Sequence, residues 1–148
     1  MLVDDDHADL ALFGIAVDKT DLNFWLHTLT EGQQAIDYLE AKGVYADRTL
    51  YPLPDVVVVD LKMPRVSGFD LLAWRQASRV FSSIPVAILS GSKNPAEMKR
   101  AVEMGRIKYI VKPDDFEEWK KVVREIWEFG TQGTASFRAE QTSRPRAS

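Results

Sequence analysis

Several short apolar runs in this sequence stop abruptly at side chains that can bind ions or attack phosphorus. MLV runs into Asp4 and Asp5, DVVVV into Asp60, PVAIL into Ser90 and KYIV into Lys112. If one rim gathers these ends, Asp4, Asp5 and Asp60 crowd together, and each resists ionising unless a cation is close. A hard divalent ion with oxygen ligands relieves the repulsion. Mg²⁺ is the natural choice, because it keeps part of its water shell and also takes a phosphate. Lys112 and the Ser90 hydroxyl then offer a positive charge and a donor to the anion held there. Such a rim is a metal and phosphoryl pocket, provided the elements of the chain deliver those ends to one place.

The segments between the apolar runs have helical patterning, and each opens with a capping signal. Asp6 precedes HADLALFGIAV; Thr30, with Gln33 after it, opens QQAIDYLEA; Ser67 with Asp70 precedes FDLLAWRQA. Asn94, Pro95 and Glu97 open AEMKRAVEM, and Asp115 with Glu118 opens FEEWKKVVREIWEF. Between these five predicted helices lie MLV, NFWLHTL, DVVVV, PVAILS and KYIVK, rich in β-branched and aromatic residues, as five strands. Strict alternation implies right-handed crossovers and an α/β, doubly wound parallel sheet with helices on both faces. A central strand buried on both sides can then be valine throughout, as Val56 to Val59 are. Open sheets of this kind bind ligands beyond the carboxyl ends of their strands, where Asp4, Asp5, Asp60, Ser90 and Lys112 all stand.

Composition sets the surroundings. A chain of 148 residues, 45% hydrophobic and 28% charged, is the size of one globular domain. Net charge is −3, and residues 130–148 contribute +2 through Arg138, Arg144 and Arg146 against Glu140, leaving −5 on the body, which argues against nucleic acid as the main partner. Without cysteine there is no disulfide framework or thiolate chemistry, and His7 and His27 cannot make a zinc site alone, so both are expected to be structural. MLVDDD has the wrong sign for a signal peptide and no apolar run reaches membrane-spanning length, so a cytoplasmic location without a membrane partner is expected. The domain is expected over residues 1–129, with residues 130–148, GTQGTASFRAEQTSRPRAS, as a flexible tail.

With these residues in view, the chain resembles the receiver domains of bacterial response regulators, the chemotaxis-regulator type of flavodoxin-like fold. The resemblance rests on an acidic pair, Asp4-Asp5; on Asp60-Leu61-Lys62-Met63-Pro64 followed by Gly68; on Ser90-Gly91; and on Lys112-Pro113. It implies strand order 2-1-3-4-5 and a phosphoryl group taken by Asp60 from the phosphohistidine of a sensor histidine kinase or a histidine phosphotransfer protein. It further implies Mg²⁺ held by Asp5, by Asp4 through water, by Asp60 and by the Lys62 carbonyl. Ser90 and Lys112 would bind phosphoryl oxygens, Tyr109 would be the aromatic whose rotamer follows Ser90, and Lys112-Pro113 would be a cis peptide. YLEAKGVYADRTLYPLPD looks like the longer loop of stand-alone receivers found beside phytochrome-type kinases. No output domain is expected to follow, so output is expected by contact with a kinase, a phosphotransfer protein or a second copy of the chain. The expected role is that of a phosphoacceptor and not of an enzyme acting on an external substrate.

Blander roles stand beside each of these. Asp60 alone would be a turn residue, Ser90 a cap and Lys112 a solvated lysine; their common rim favours the functional roles. Asp6 is expected only to cap a helix, Pro64 and Gly68 to shape the backbone, and Tyr109 either to switch or simply to pack. Trp119 belongs to a core stripe with Phe116, Val123 and Ile126. Lys62 has donors only, so it either meets a phosphoryl oxygen or points to solvent. A phosphohydrolase of similar fold would carry a second Asp where Lys62 stands, and no Walker loop or G-x-G-x-x-G is present. The alternative left open is a receiver-like scaffold that binds partners without phosphorylation. Two features depart from the family pattern: only three residues precede Asp4, where a strand usually has about 5 to 6, so the true start is expected upstream, and Gly105-Arg106-Ile107-Lys108 precedes Tyr109 where small residues are commoner.

Overall fold

The computed structural model describes residues 1–142, with side-chain surroundings through residue 132. Strands β1 (Leu2–Val3), β2 (Thr28–Leu29), β3 (Val57–Val59), β4 (Val86–Ser90) and β5 (Ile107–Val111) form one parallel sheet in the order β2-β1-β3-β4-β5. Helices α1 (His7–Asp18), α2 (Gly32–Leu39), α3 (Gly68–Ala77), α4 (Pro95–Val102) and α5 (Phe116–Thr142) cross between the strands and cover both faces. This is the flavodoxin-like arrangement expected of the alternating sequence.

The valines of β3 show why both faces are apolar. Val57 and Val59 pack with Ala35 of α2, Leu71 and Leu72 of α3 and Ile88 of β4. Val56 and Val58 point the other way, among Phe13 and Val17 of α1 and Trp119, Val123 and Ile126 of α5. Successive strand residues face opposite sides, so a strand between two helical layers has no polar position to offer until it leaves the sheet. The first residue past β3 is Asp60.

Four local expectations are corrected. Strand β2 covers only Thr28–Leu29 and not all of NFWLHTL; its neighbour in the sheet, β1, pairs through Leu2 and Val3, and the pairing reaches back only as far as the His27 carbonyl, which accepts from the Leu2 amide at 2.8 Å. Helix α2 is capped at Glu31 and not at Thr30, because the side chain that folds back is Gln34, whose Oε1 accepts from the Thr30 and Glu31 amides at 3.1 and 3.2 Å. Helix α5 runs past residue 129 to Thr142. Gly130 does not stop it: a Cβ there would lie 3.0 Å from Cγ1 of Val56, so glycine serves a close approach of α5 to the start of β3. The remainder of the expected tail, residues 143–148, lies outside the described residues. Finally, no cis peptide occurs among the described residues, so Lys112-Pro113 is trans, the form that X-Pro bonds favour by about 0.5 to 1 kcal/mol.

The segment after α2 folds down through a 3-10 turn at Gly43–Tyr45, and Arg48 Nη1 donates to the carbonyls of Tyr38 and Tyr51 at 2.8 and 3.1 Å. His27 stacks into this corner, its ring 5.0 Å from that of Tyr38 and 5.7 Å from that of Tyr51, which is the structural role expected of it.

Candidate functional site

Each side chain of the expected pocket is placed by the end of a strand. Asp4 and Asp5 follow β1, Asp60 follows β3, Ser90 closes β4 and Lys112 follows β5. Parallel pairing in register brings these ends to one rim, since Val3 is opposite Val59, Val59 opposite Ile88, and Ser90 opposite Val111. Asp4 is 2% exposed, Asp60 8% and Ser90 1%, while Asp5 stands open to solvent.

Lys112 joins the acidic residues. Its Nζ lies 2.8 Å from Asp4 Oδ2, 2.7 Å from Asp9 Oδ2 and 3.2 Å from Asp60 Oδ2. Burial pulls the ammonium toward losing its proton, but hydrogen bonds to Asp4 and Asp9 and the charge of Asp60 outweigh it, and the net shift is upward. Lys112 therefore stays charged. Burial raises the Asp4 carboxyl above the usual range against hydrogen bonds from Lys112 and the Asp6 amide, as removal from water disfavours the charged form.

One carboxylate oxygen each from Asp4, Asp5 and Asp60 lie within 4.8 Å of one another. This donor set is hard, anionic and partly open to water, which fits a Mg²⁺ or Mn²⁺ ion and not a soft metal. The expected fourth ligand, the Lys62 carbonyl, comes from the turn after Asp60, where the Lys62 amide faces Asp60 Oδ1 at 3.5 Å. The Lys62 side chain is exposed and makes no ion pair among the described residues, which favours its solvent-facing role.

Ser90 and Tyr109 are linked through a loop. The Ser90 hydroxyl oxygen accepts from the Ser92 amide at 3.2 Å, and the Ser90 carbonyl accepts from the Lys112 amide at 2.8 Å. Tyr109, half-buried, donates its hydroxyl to the Ser92 carbonyl at 2.9 Å. The serine at the pocket floor and the tyrosine of β5 thus hold the same loop between β4 and α4.

Asp9 was not expected here. It sits in the first turn of α1, two residues beyond its start, and the Asp6 cap binds its amide at 3.3 Å. An acid in a first turn ordinarily complements the helix dipole, and that ordinary role conceals it. The signal that could have found it is its position one helical turn from the strand end that delivers Asp4 and Asp5.

A family model described as response regulator receiver domain matches residues 1–124. The chain is 31% identical over 132 residues to the probable methanogenesis regulatory protein FilR2 of Methanothrix harundinacea (strain 6Ac), covering 87% of this chain and 81% of that protein. It is 26% identical to response regulator Rcp1 of Synechocystis sp., covering 99% of this chain and 92% of that protein. The solved Mn²⁺-bound form of Rcp1 superposes with a TM-score of 0.73, covering 84% of this chain and 88% of that one. The phosphorylated cyanobacterial phytochrome response regulator RcpA superposes with a TM-score of 0.77 at 28% identity, covering 88% of this chain and 91% of that one.

Proposed function

The chain belongs to the response regulator receiver domain family, and from that premise we propose that it is a response regulator of a two-component phosphorelay, with Asp60 as phosphoacceptor. Receiver domains are signalling domains, and the chain's relatives include phytochrome response regulators. The phosphoryl group comes from a sensor histidine kinase or a histidine phosphotransfer protein, which implies a cytoplasmic setting. No helix among the described residues is long and apolar enough to cross a membrane. The receiver unit is residues 1–129, with α5 continuing beyond it. Partners are proteins of the relay, with a second copy of the chain as one candidate.

The observation that carries this reading is the position of Asp60, 8% exposed at the end of β3, 3.2 Å from Lys112 and grouped with the carboxylates of Asp4 and Asp5. One Asp60 oxygen attacks phosphorus, and the new P–O bond forms as the donor's P–N bond breaks. The bonding pair stays with the donor nitrogen, and the ring, already protonated on its other nitrogen, leaves as neutral imidazole. Lys112 and the Ser90 hydroxyl bind oxygens of the transferring group, in which negative charge is spread. Asp5, Asp60 and the Lys62 carbonyl, with Asp4 through water, would hold a Mg²⁺ ion, which would supply further positive charge there. Once Asp60 is an acyl phosphate, Ser90 is drawn to it and carries the Ser92 loop and the Tyr109 hydroxyl along. That repacking is the signal a partner reads.

Incubation with acetyl phosphate and Mg²⁺, followed by intact-mass measurement, is expected to add one phosphoryl group to the wild type and none to Asp60→Asn. A wild type that gains no mass, or an Asp60→Asn protein that gains as much, would turn the reading toward a scaffold that binds partners without phosphorylation.

Mg²⁺ is also expected to stabilise the fold without any phosphodonor. A ligand at about 100 times its dissociation constant adds roughly 2.7 kcal/mol when it binds only the folded state. In a protein of this size each kcal/mol moves the melting temperature by roughly 2 to 4 °C. Asp5→Ala removes an exposed ligand and most of this gain. Equal melting temperatures with Mg²⁺ and with chelator in the wild type would count against the ion.

A further inference from the structure

Lys112 is nearer to two carboxylates that do not accept phosphate than to the one that does: 2.7 Å to Asp9 and 2.8 Å to Asp4, against 3.2 Å to Asp60. Asp4 and Asp60 belong to the set of oxygens gathered within 4.8 Å around the metal position, and Asp9 does not. A cation bound there shares the charge of Asp4 and Asp60, and Asp9 is left with an undivided claim on the ammonium. Asp9 is also firmly mounted. It lies in the first turn of α1, its amide held by the Asp6 cap, and α1 is fixed through Phe13, Ala16 and Val17 in the core shared with α5.

We infer that Asp9 is a positioning residue of this pocket that acts through Lys112, holding the ammonium on the α1 side and so dividing its charge between helix and phosphoacceptor. The inference rests on the phosphoacceptor reading of Asp60. An ammonium has three donors, and with Asp9 present one of them faces away from the reacting carboxylate. Two consequences follow with opposite sign. Asp9 helps a divalent cation to bind, because it adds negative charge nearby and takes a share of the Lys112 charge that Asp4 and Asp60 would otherwise hold alone. It slows the arrival of a phosphoryl group, because it repels that anion and takes up part of the lysine's charge.

Asp9→Asn keeps the size and one acceptor and removes the charge. In the 148-residue chain, the dissociation constant for Mg²⁺, measured by calorimetry without phosphodonor, is expected to rise about tenfold. The rate of mass gain from acetyl phosphate at saturating Mg²⁺ is expected to rise severalfold. In that reaction the Asp60 P–O bond forms as the donor's P–O bond breaks and acetate leaves. Asp9→Glu keeps the charge and is expected to stay close to wild type in both measurements. Loosened packing alone would weaken Mg²⁺ binding and slow phosphorylation together, so opposite movement of the two quantities is the signature of positioning. Wild-type values for Asp9→Asn in both measurements, or a fall in rate alongside weaker binding, overturn the inference. If the wild type itself gains no phosphoryl group, the reading of Asp60 fails and this inference falls with it; if the wild type is phosphorylated, the variants judge Asp9 alone.

Discussion

Lys112→Met is expected to destabilise the metal-free protein by about 3 kcal/mol and to slow phosphorylation of Asp60 by roughly a hundredfold or more. The lysine side chain is 15% exposed and lies within 3.2 Å of three carboxylates, of which Asp4 and Asp60 are themselves buried. Methionine fills much the same volume, so the loss isolates charge from packing. Removing one member of a buried ionic cluster leaves the others uncompensated, and that penalty exceeds what the intact cluster gains over an apolar replacement. Mg²⁺ separates the two consequences. With the ion bound, the charge on Asp4 and Asp60 is met from another side, so most of the lost stability returns. The phosphorylation defect remains, because the donor to the phosphoryl oxygens is still missing. Melting curves in chelator and in Mg²⁺, set beside rates of mass gain with acetyl phosphate, test both halves. A stability loss of equal size with and without Mg²⁺ would mean that Lys112 matters for packing and not for charge.

The parts legible in the sequence are those set by periodicity and by the abrupt ends of apolar runs. Val56 to Val59 can only be a strand covered on both faces, and Phe13 and Trp119 mark helices that bury a stripe. Once alternation implies a parallel sheet, the residues that terminate β1, β3, β4 and β5 must share a rim, and Asp4, Asp60, Ser90 and Lys112 do. What escaped depends on contacts between segments distant in sequence. Asp9 is an ordinary first-turn acid until Lys112, 103 residues away, reaches across to it. Tyr109 and Ser92 meet through a backbone carbonyl, which no residue type advertises. Gly130 has the composition of a helix end, and only its closeness to Val56 explains a glycine inside α5. NFWLHTL has strand-forming residues throughout, while the length of β2 in the sheet is limited by its partner β1. Propensity describes what a segment tolerates, and pairing decides what it becomes.

Gly68→Ala is expected to cost about 2 to 3 kcal/mol and to impair phosphorylation, although alanine is the better helix former. Gly68 is the first residue of α3, with Ser67 as cap, and its amide donates to the Leu61 carbonyl at 3.0 Å. A Cβ built there would lie 2.3 Å from the Asp60 carbonyl oxygen and 2.7 Å from the Leu61 Cα. Both are backbone atoms, so no rotamer change relieves the overlap; the start of α3 and the end of β3 must separate. The strand end that moves is the one carrying the phosphoacceptor. A displacement of about 1 Å in a reacting group can cost on the order of a hundredfold in rate, so the carboxylate of Asp60 loses its alignment with Lys112 while the acid itself is untouched. Gly14→Ala is the matched comparison, since it lies inside α1 with nothing within 4 Å of its added Cβ. There the helix preference acts alone, and a gain of up to about 1 kcal/mol is expected with phosphorylation unchanged. Chemical denaturation and acetyl phosphate labelling of the two variants give the test. A Gly68→Ala protein as stable and as readily phosphorylated as Gly14→Ala would mean that α3 and β3 do not need that approach to hold Asp60 in place.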